Sequence, residues 1–141
     1  MKIFLCSSYK FVKEYVELAK VLEQNWHTVI LPGKTAEYLE GTMTGNNRMD
    51  KENKEEIRQS RLSSCDKIQT CDCLLVANYE KNGIEGHIGS AVFMEMSIGF
   101  YLRKPLYILN PLPTSSELKC VEEITVMKPI LLDGNLDMLH E

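Results

Sequence analysis

The apolar positions of this chain change period several times, and the changes mark its elements. "KIFLC" (Lys2–Cys6) is a short run, apolar after its lysine, the pattern of a buried strand. "SS" (Ser7, Ser8) supplies turn and N-cap chemistry. Phe11, Val12, Tyr15, Val16, Leu18, Ala19 and Leu22 then recur at helical spacing to about Gln24. Trp26 is expected to pack at the end of that helix. "HTVILP" (His27–Pro32) reads as a second strand stopped by Pro32. From Gly33 to Asn53 glycines and "NN" break any long pattern, and such a stretch inside a compact domain is either functional or hides a helix.

"KENKEEIRQSRLSSCDKIQ" follows, a strongly charged helix with a narrow apolar stripe at Ile57, Leu62, Cys65 and Ile68. Its mixed charges read as a solvated face. "CLLVAN" (Cys73–Asn78) is a third buried strand, and Tyr79–Gly89 a glycine-bearing loop. Ser90–Leu102 is a helix apolar nearly all round, hence buried. Pro105–Leu109 is a fourth strand, "SSELKCVEEI" a short helix with a serine cap, and "PILL" (Pro129–Leu132) a fifth strand. Strands alternating with helices predict an α/β fold: a doubly wound, mostly parallel sheet of four to five strands, helices on both faces, in the order 2-1-3-4-5. With no repeat, low-complexity tract or linker, residues 1–141 read as a single domain.

Composition narrows the function. A formal net charge of −4 disfavours a broad nucleic-acid surface but permits one small anion in a focused pocket. No apolar run approaches the roughly 18 residues of a membrane span, and the N-terminus does not resemble a signal peptide. The expected setting is cytoplasmic. Cys6, Cys65, Cys71, Cys73 and Cys120 are then reduced thiols, with "CDC" neither a redox pair nor half of a zinc site. His27, His87 and His140 are scattered, so neither a metal nor another cofactor is expected.

Ligands of such a sheet bind beyond the carboxyl ends of its strands. There the chain places "CSSYK", "NYEKNG" and "NPLP". No glycine-rich dinucleotide or P-loop motif is present. Ser7, Ser8 and Lys10 could still hold a small anion, or be a serine cap beside a surface lysine. Asn78 and Asn110 could orient a hydroxyl-rich ligand, or merely form turns. Gly89 and Ser90 open the apolar helix at the same edge. Within that helix, between Met94 and Met96, stands a single carboxylate, Glu95. It can be a surface residue, a buried structural carboxylate, or a nucleophile or base.

Taken together, "KIFLCSSYK", "CDCLLVAN" and "FMEMSIGFYLRKPLYIL" resemble blocks of the nucleoside 2-deoxyribosyltransferase superfamily, which includes the deoxynucleoside 5′-monophosphate N-glycosidases. In the first block Ser8 and Lys10 match the family's serine and arginine. The third resembles its glutamate-bearing helix followed by Gly-Lys-Pro and a strand. The likeness runs from Met1 to about Pro113. Where the family often has an aspartate after the third strand, this chain has Asn78, with Glu80 close by.

The resemblance implies a flavodoxin- or Rossmann-like fold, a homo-oligomer and a small-molecule nucleoside or nucleotide as partner. It implies that Glu95 attacks C1′ of the deoxyribose through a covalent glycosyl-glutamate, with Ser7, Ser8, Lys10, Asn78, Gly89, Ser90 and Asn110 around the substrate. Phe93, Phe100 and Tyr101 could supply an intersubunit contact, or pack on the sheet. Two further readings stand beside it: a non-catalytic nucleotide-binding module using the same pocket, and a protein in which Glu95 is only an internal staple.

Overall fold

The computed structural model describes residues 1–42 and 54–140. Five strands form one sheet: β1 (Lys2–Cys6), β2 (Thr28–Ile30), β3 (Cys73–Val76), β4 (Leu106–Ile108) and β5 (Ile130–Leu131). All pairs are parallel and the order is β2-β1-β3-β4-β5, as the alternation of elements predicts. The helices are α1 (Val12–Gln24), α2 (Thr35–Glu40), α3 (Lys54–Gln69), α4 (Ser90–Tyr101) and α5 (Val121–Val126). α2 is the helix hidden in the irregular stretch; Met43–Asn53 of that stretch lie outside the described residues.

Strand alternation divides the core in two. Ile3 and Leu5 of β1 join Cys73 and Leu75 of β3 in a cluster with Tyr15, Ala19 and Leu22 of α1. Phe4 and Cys6 point the other way and join Leu74 and Val76, under Ile68 of α3, Val92 and Met96 of α4, and Ile124 of α5. Both faces of the sheet are therefore covered, which is why β3, β4 and, after Lys2, β1 are continuously apolar. Gly99 lets α4 lie close over β3, since a Cβ there would press to 2.8 Å of a Leu74 methyl. Lys104 donates to the carbonyls of Gln69 (3.1 Å) and Cys71 (2.7 Å), a cationic cap where α3 ends. The lysine of the "RKP" stretch thus has a structural task. Before it, Arg103 takes φ +58°, a left-handed conformation that glycine adopts most readily.

Three local expectations are corrected. Trp26 does not pack against α1 but is 93% exposed. It takes the left-handed position just past the helix (φ +69°), while His27 N–H reaches back to the Leu22 carbonyl, so its side chain turns to solvent. The helix expected from "SSELKCVEEI" starts only at Val121, without a serine cap. Thr114 and Glu117 instead close a turn, the Glu117 carboxylate accepting from the Thr114 N–H (3.2 Å) and hydroxyl (2.9 Å). The end of α4 is not buried: Phe93 packs on the core, whereas Phe100 and Tyr101 are exposed.

Candidate active site

The chain leaves β1 toward β2 and later crosses back to β3, so the order reverses between β1 and β3. Crevices form at such a point because the two connections depart in opposite directions. A narrow pocket of about 30 Å³ opens there, lined by Ser7, Ser8 and Tyr9 after β1, Gly89, Ala91, Val92 and Glu95 of the α4 segment, Pro32, Arg61 and Lys81. Gly89 is the N-cap residue of α4 and, having no side chain, supplies no cap of its own. Gly89, Ala91 and Val92 line the pocket, so the start of α4, the positive end of its dipole, borders it.

Glu95 is 8% exposed, which removes the surface reading. It sits six residues after Gly89, about 9 Å along the axis, and helical side chains lean toward the N-terminus. That brings its side chain into the pocket lining. Beside it, burial pushes the Cys6 thiol well above its ordinary range, and the charge of Glu95 and a hydrogen bond to it push further. Burial also raises the Tyr9 phenol, so it stays protonated at neutral pH. The ring of Tyr9 stacks on Tyr38 at 4.1 Å, and its oxygen accepts from the Lys34 N–H (3.1 Å).

The remaining sequence candidates are spread more widely. Ser7 is buried and donates to the Ala77 carbonyl (2.9 Å), locking the end of β1 to that of β3. Ser8 caps a short 3-10 turn, accepting from the Lys10 N–H (3.4 Å). Lys10 is exposed, its ammonium 5.8 Å over the Phe11 ring, and does not line the pocket. Ser90 is exposed and outside the lining as well. Basic groups come instead from Arg61 and Lys81, which no motif of the sequence marks. A signal was present for Arg61. It precedes the buried Ser64 and Ile68 by three and seven residues, on the inward stripe of α3.

Asn78 and Asn110 belong to a separate cleft of about 600 Å³ beyond β3 and β4. There they bond mainly to each other. Asn78 accepts from the Asn110 N–H (2.8 Å) and donates to the Asn110 carbonyl (2.9 Å), while the Asn110 amide donates to the Asn78 carbonyl (3.1 Å). Asn78 also donates to the Gly86 carbonyl (3.3 Å). Replacing Asn78, which is 1% exposed, with alanine is expected to cost about 1–3 kcal/mol in chemical denaturation, because the main-chain groups it serves are left without a partner. The acidic side chains Glu80, Glu85 and Glu117 rim this cleft. Glu80 accepts from the Gly83 N–H (2.7 Å), closing its own turn.

Among the described residues no cluster of three or more His, Cys, Asp or Glu side chains could hold a metal ion, and no helix is long and apolar enough to cross a membrane. Comparison with family models, with curated proteins and with solved structures finds no match to this chain.

Proposed function

We propose that the protein cleaves, or transfers at, the N-glycosidic bond of a deoxynucleoside or its 5′-monophosphate, with Glu95 as nucleophile. The observation that carries this reading is a buried carboxylate lining a pocket at the switch point of the sheet, beside the start of α4. Burying a carboxylate is costly unless it is paired or used. The resemblance of the Glu95 helix to the family's nucleophile helix supports the second use.

A Glu95 oxygen bonds to C1′ as the C1′–N bond breaks. The electron pair leaves with the base, which takes up a proton. Water or a second base then attacks C1′, the bond to Glu95 breaks, and the carboxylate is restored. Two inversions give net retention through oxocarbenium-like transition states. Tyr9 and Lys81 are proton-bearing groups of the pocket lining. A volume of about 30 Å³ holds little more than a water molecule, so a sugar reaches Glu95 only when side chains at the mouth swing aside. Arg61, Lys81 and the N–H groups of α4 make that mouth attractive to an anion. This favours a phosphorylated substrate.

The test is release of free base from a panel of deoxynucleosides and their 5′-monophosphates, with and without an acceptor base. Turnover supports the reading; binding without turnover replaces it with the nucleotide-binding module. In the same assay Arg61→Ala and Lys81→Ala are each expected to raise KM for the monophosphate about tenfold, and that of the unphosphorylated nucleoside less. Equal effects on both would remove phosphate recognition from these two residues.

A further inference from the structure

We propose that the crevice between α3 and the chain after β2 is a binding site for a phosphate group. It shares no lining residue with the Glu95 pocket and does not depend on the role of Glu95. The crevice has a volume of about 260 Å³. Gly33 and Lys34 form one wall, beyond the carboxyl end of β2, the edge at which parallel sheets bind ligands. The other wall is Glu56, Gln59, Ser60, Ser63 and Lys67 of α3. Their spacing puts all five on one face of the helix, beside the face that buries Ser64 and Ile68.

Two lysines and one glutamate carry the charge of this crevice. Lys34 Nζ donates to Glu56 Oε1 at 2.6 Å, so that pair cancels. Among the described residues no ion pair engages Lys67. Its charge is left over, in a chain of net charge −4. Gly33 shows where that charge lies. A Cβ built there would stand 3.7 Å from Lys67 Nζ and 3.9 Å from Ser60 Oγ. An ammonium and a hydroxyl thus converge on a residue without a side chain, and the space between them is open to a ligand. Ser63 adds a second hydroxyl, and hydroxyls rotate to suit an acceptor. Gln59 supplies shape rather than donors, because its amide donates to Glu55 (2.9 Å). Ammonium and hydroxyl donors around one surplus positive charge suit an oxyanion. A phosphate has acceptor oxygens on every side and can take donors from both walls at once, whereas a carboxylate has them at one end only.

The test is a titration with inorganic phosphate at constant ionic strength, followed in amide NMR spectra of the isotope-labelled protein. The Gly33, Ser60 and Lys67 resonances are expected to move along one saturating curve with a midpoint of about 1 mM. Lys67→Glu is expected to raise that midpoint at least about tenfold, and Lys67→Arg to keep it within about threefold. Gly33→Leu fills the cradle without touching a charge, and the same loss is expected, read at Ser60 and Lys67. Spectra of the free variants show that each is folded. Shifts confined to Gly89 and Ala91 would place the anion in the Glu95 pocket and overturn the proposal. A wild-type midpoint in Lys67→Glu, or no saturating shift at all, overturns it too. Ribose 5-phosphate, titrated in the same way, identifies the source of the group. Binding tighter than that of inorganic phosphate assigns the site to a phosphate monoester, and weaker binding to the free anion.

Discussion

Glu95→Ala is expected to lower base release by about ten-thousandfold or more while the protein stays folded. The size follows from the role. A covalent nucleophile supplies the bond that makes departure of the base feasible, and other parts of the site do not replace it. Added formate or azide is expected to restore part of the activity, since removal of the side chain opens space at the pocket floor for a small anion. Melting separates the roles. A carboxylate kept for chemistry contributes little to stability, and its loss leaves Tm near or above that of the wild type. A structural staple behaves in the opposite way: Tm falls, and turnover, if present, survives. A variant that melts several degrees lower yet still releases base would end the case for Glu95 as nucleophile.

The second large effect is on folding. Gly86 lies in the connection between β3 and α4 with φ +71°, a conformation strained for residues bearing a Cβ. A Cβ there would collide with the Pro111 carbonyl oxygen and stand 3.2 Å from the Asn78 amide nitrogen. Neither neighbour can yield cheaply, because one is backbone and the other is tied to Asn110. Gly86→Ala is expected to cost at least about 3 kcal/mol, or about 10 °C in Tm for a domain of this size. Gly83→Ala is the matched control. It shares the positive φ (+79°) but has nothing within 4 Å, so it should cost only about 1 kcal/mol of backbone strain. Similar losses in both would mean that the close approach to Pro111 matters little.

The fold was legible because its signals are local. "KIFLC" marks β1 to the residue, and Ser90 marks the start of α4, because apolar runs and helical periods report burial directly. The strand order follows from the succession of elements and the rules for parallel connections. The site was legible only where one element carries its chemistry. Glu95 stood out as a single charge inside an apolar helix. Arg61 and Lys81 did not, because α3 and the loop after β3 meet β1 only in three dimensions. Lys10, two residues from Ser8, looked the better anion ligand, but the 3-10 turn carries it out to solvent. Asn78 and Asn110 sit at the expected strand ends, yet most of their hydrogen bonding goes to joining two loops. Sequence spacing cannot reveal such a pairing across 32 positions.

The opposed directions of neighbouring side chains on β1 make the molecule sensitive to phase. Inserting or deleting one residue within β1, between Ile3 and Cys6, would put the two parts of the strand out of phase, and with Ile3 held in place it would carry the sulfur to the side occupied by α1. A shift of two would restore every apolar match while moving the strand lengthwise against its partners. The spacing along β1 from Ile3 to the serines is therefore counted in parity as well as in ångströms.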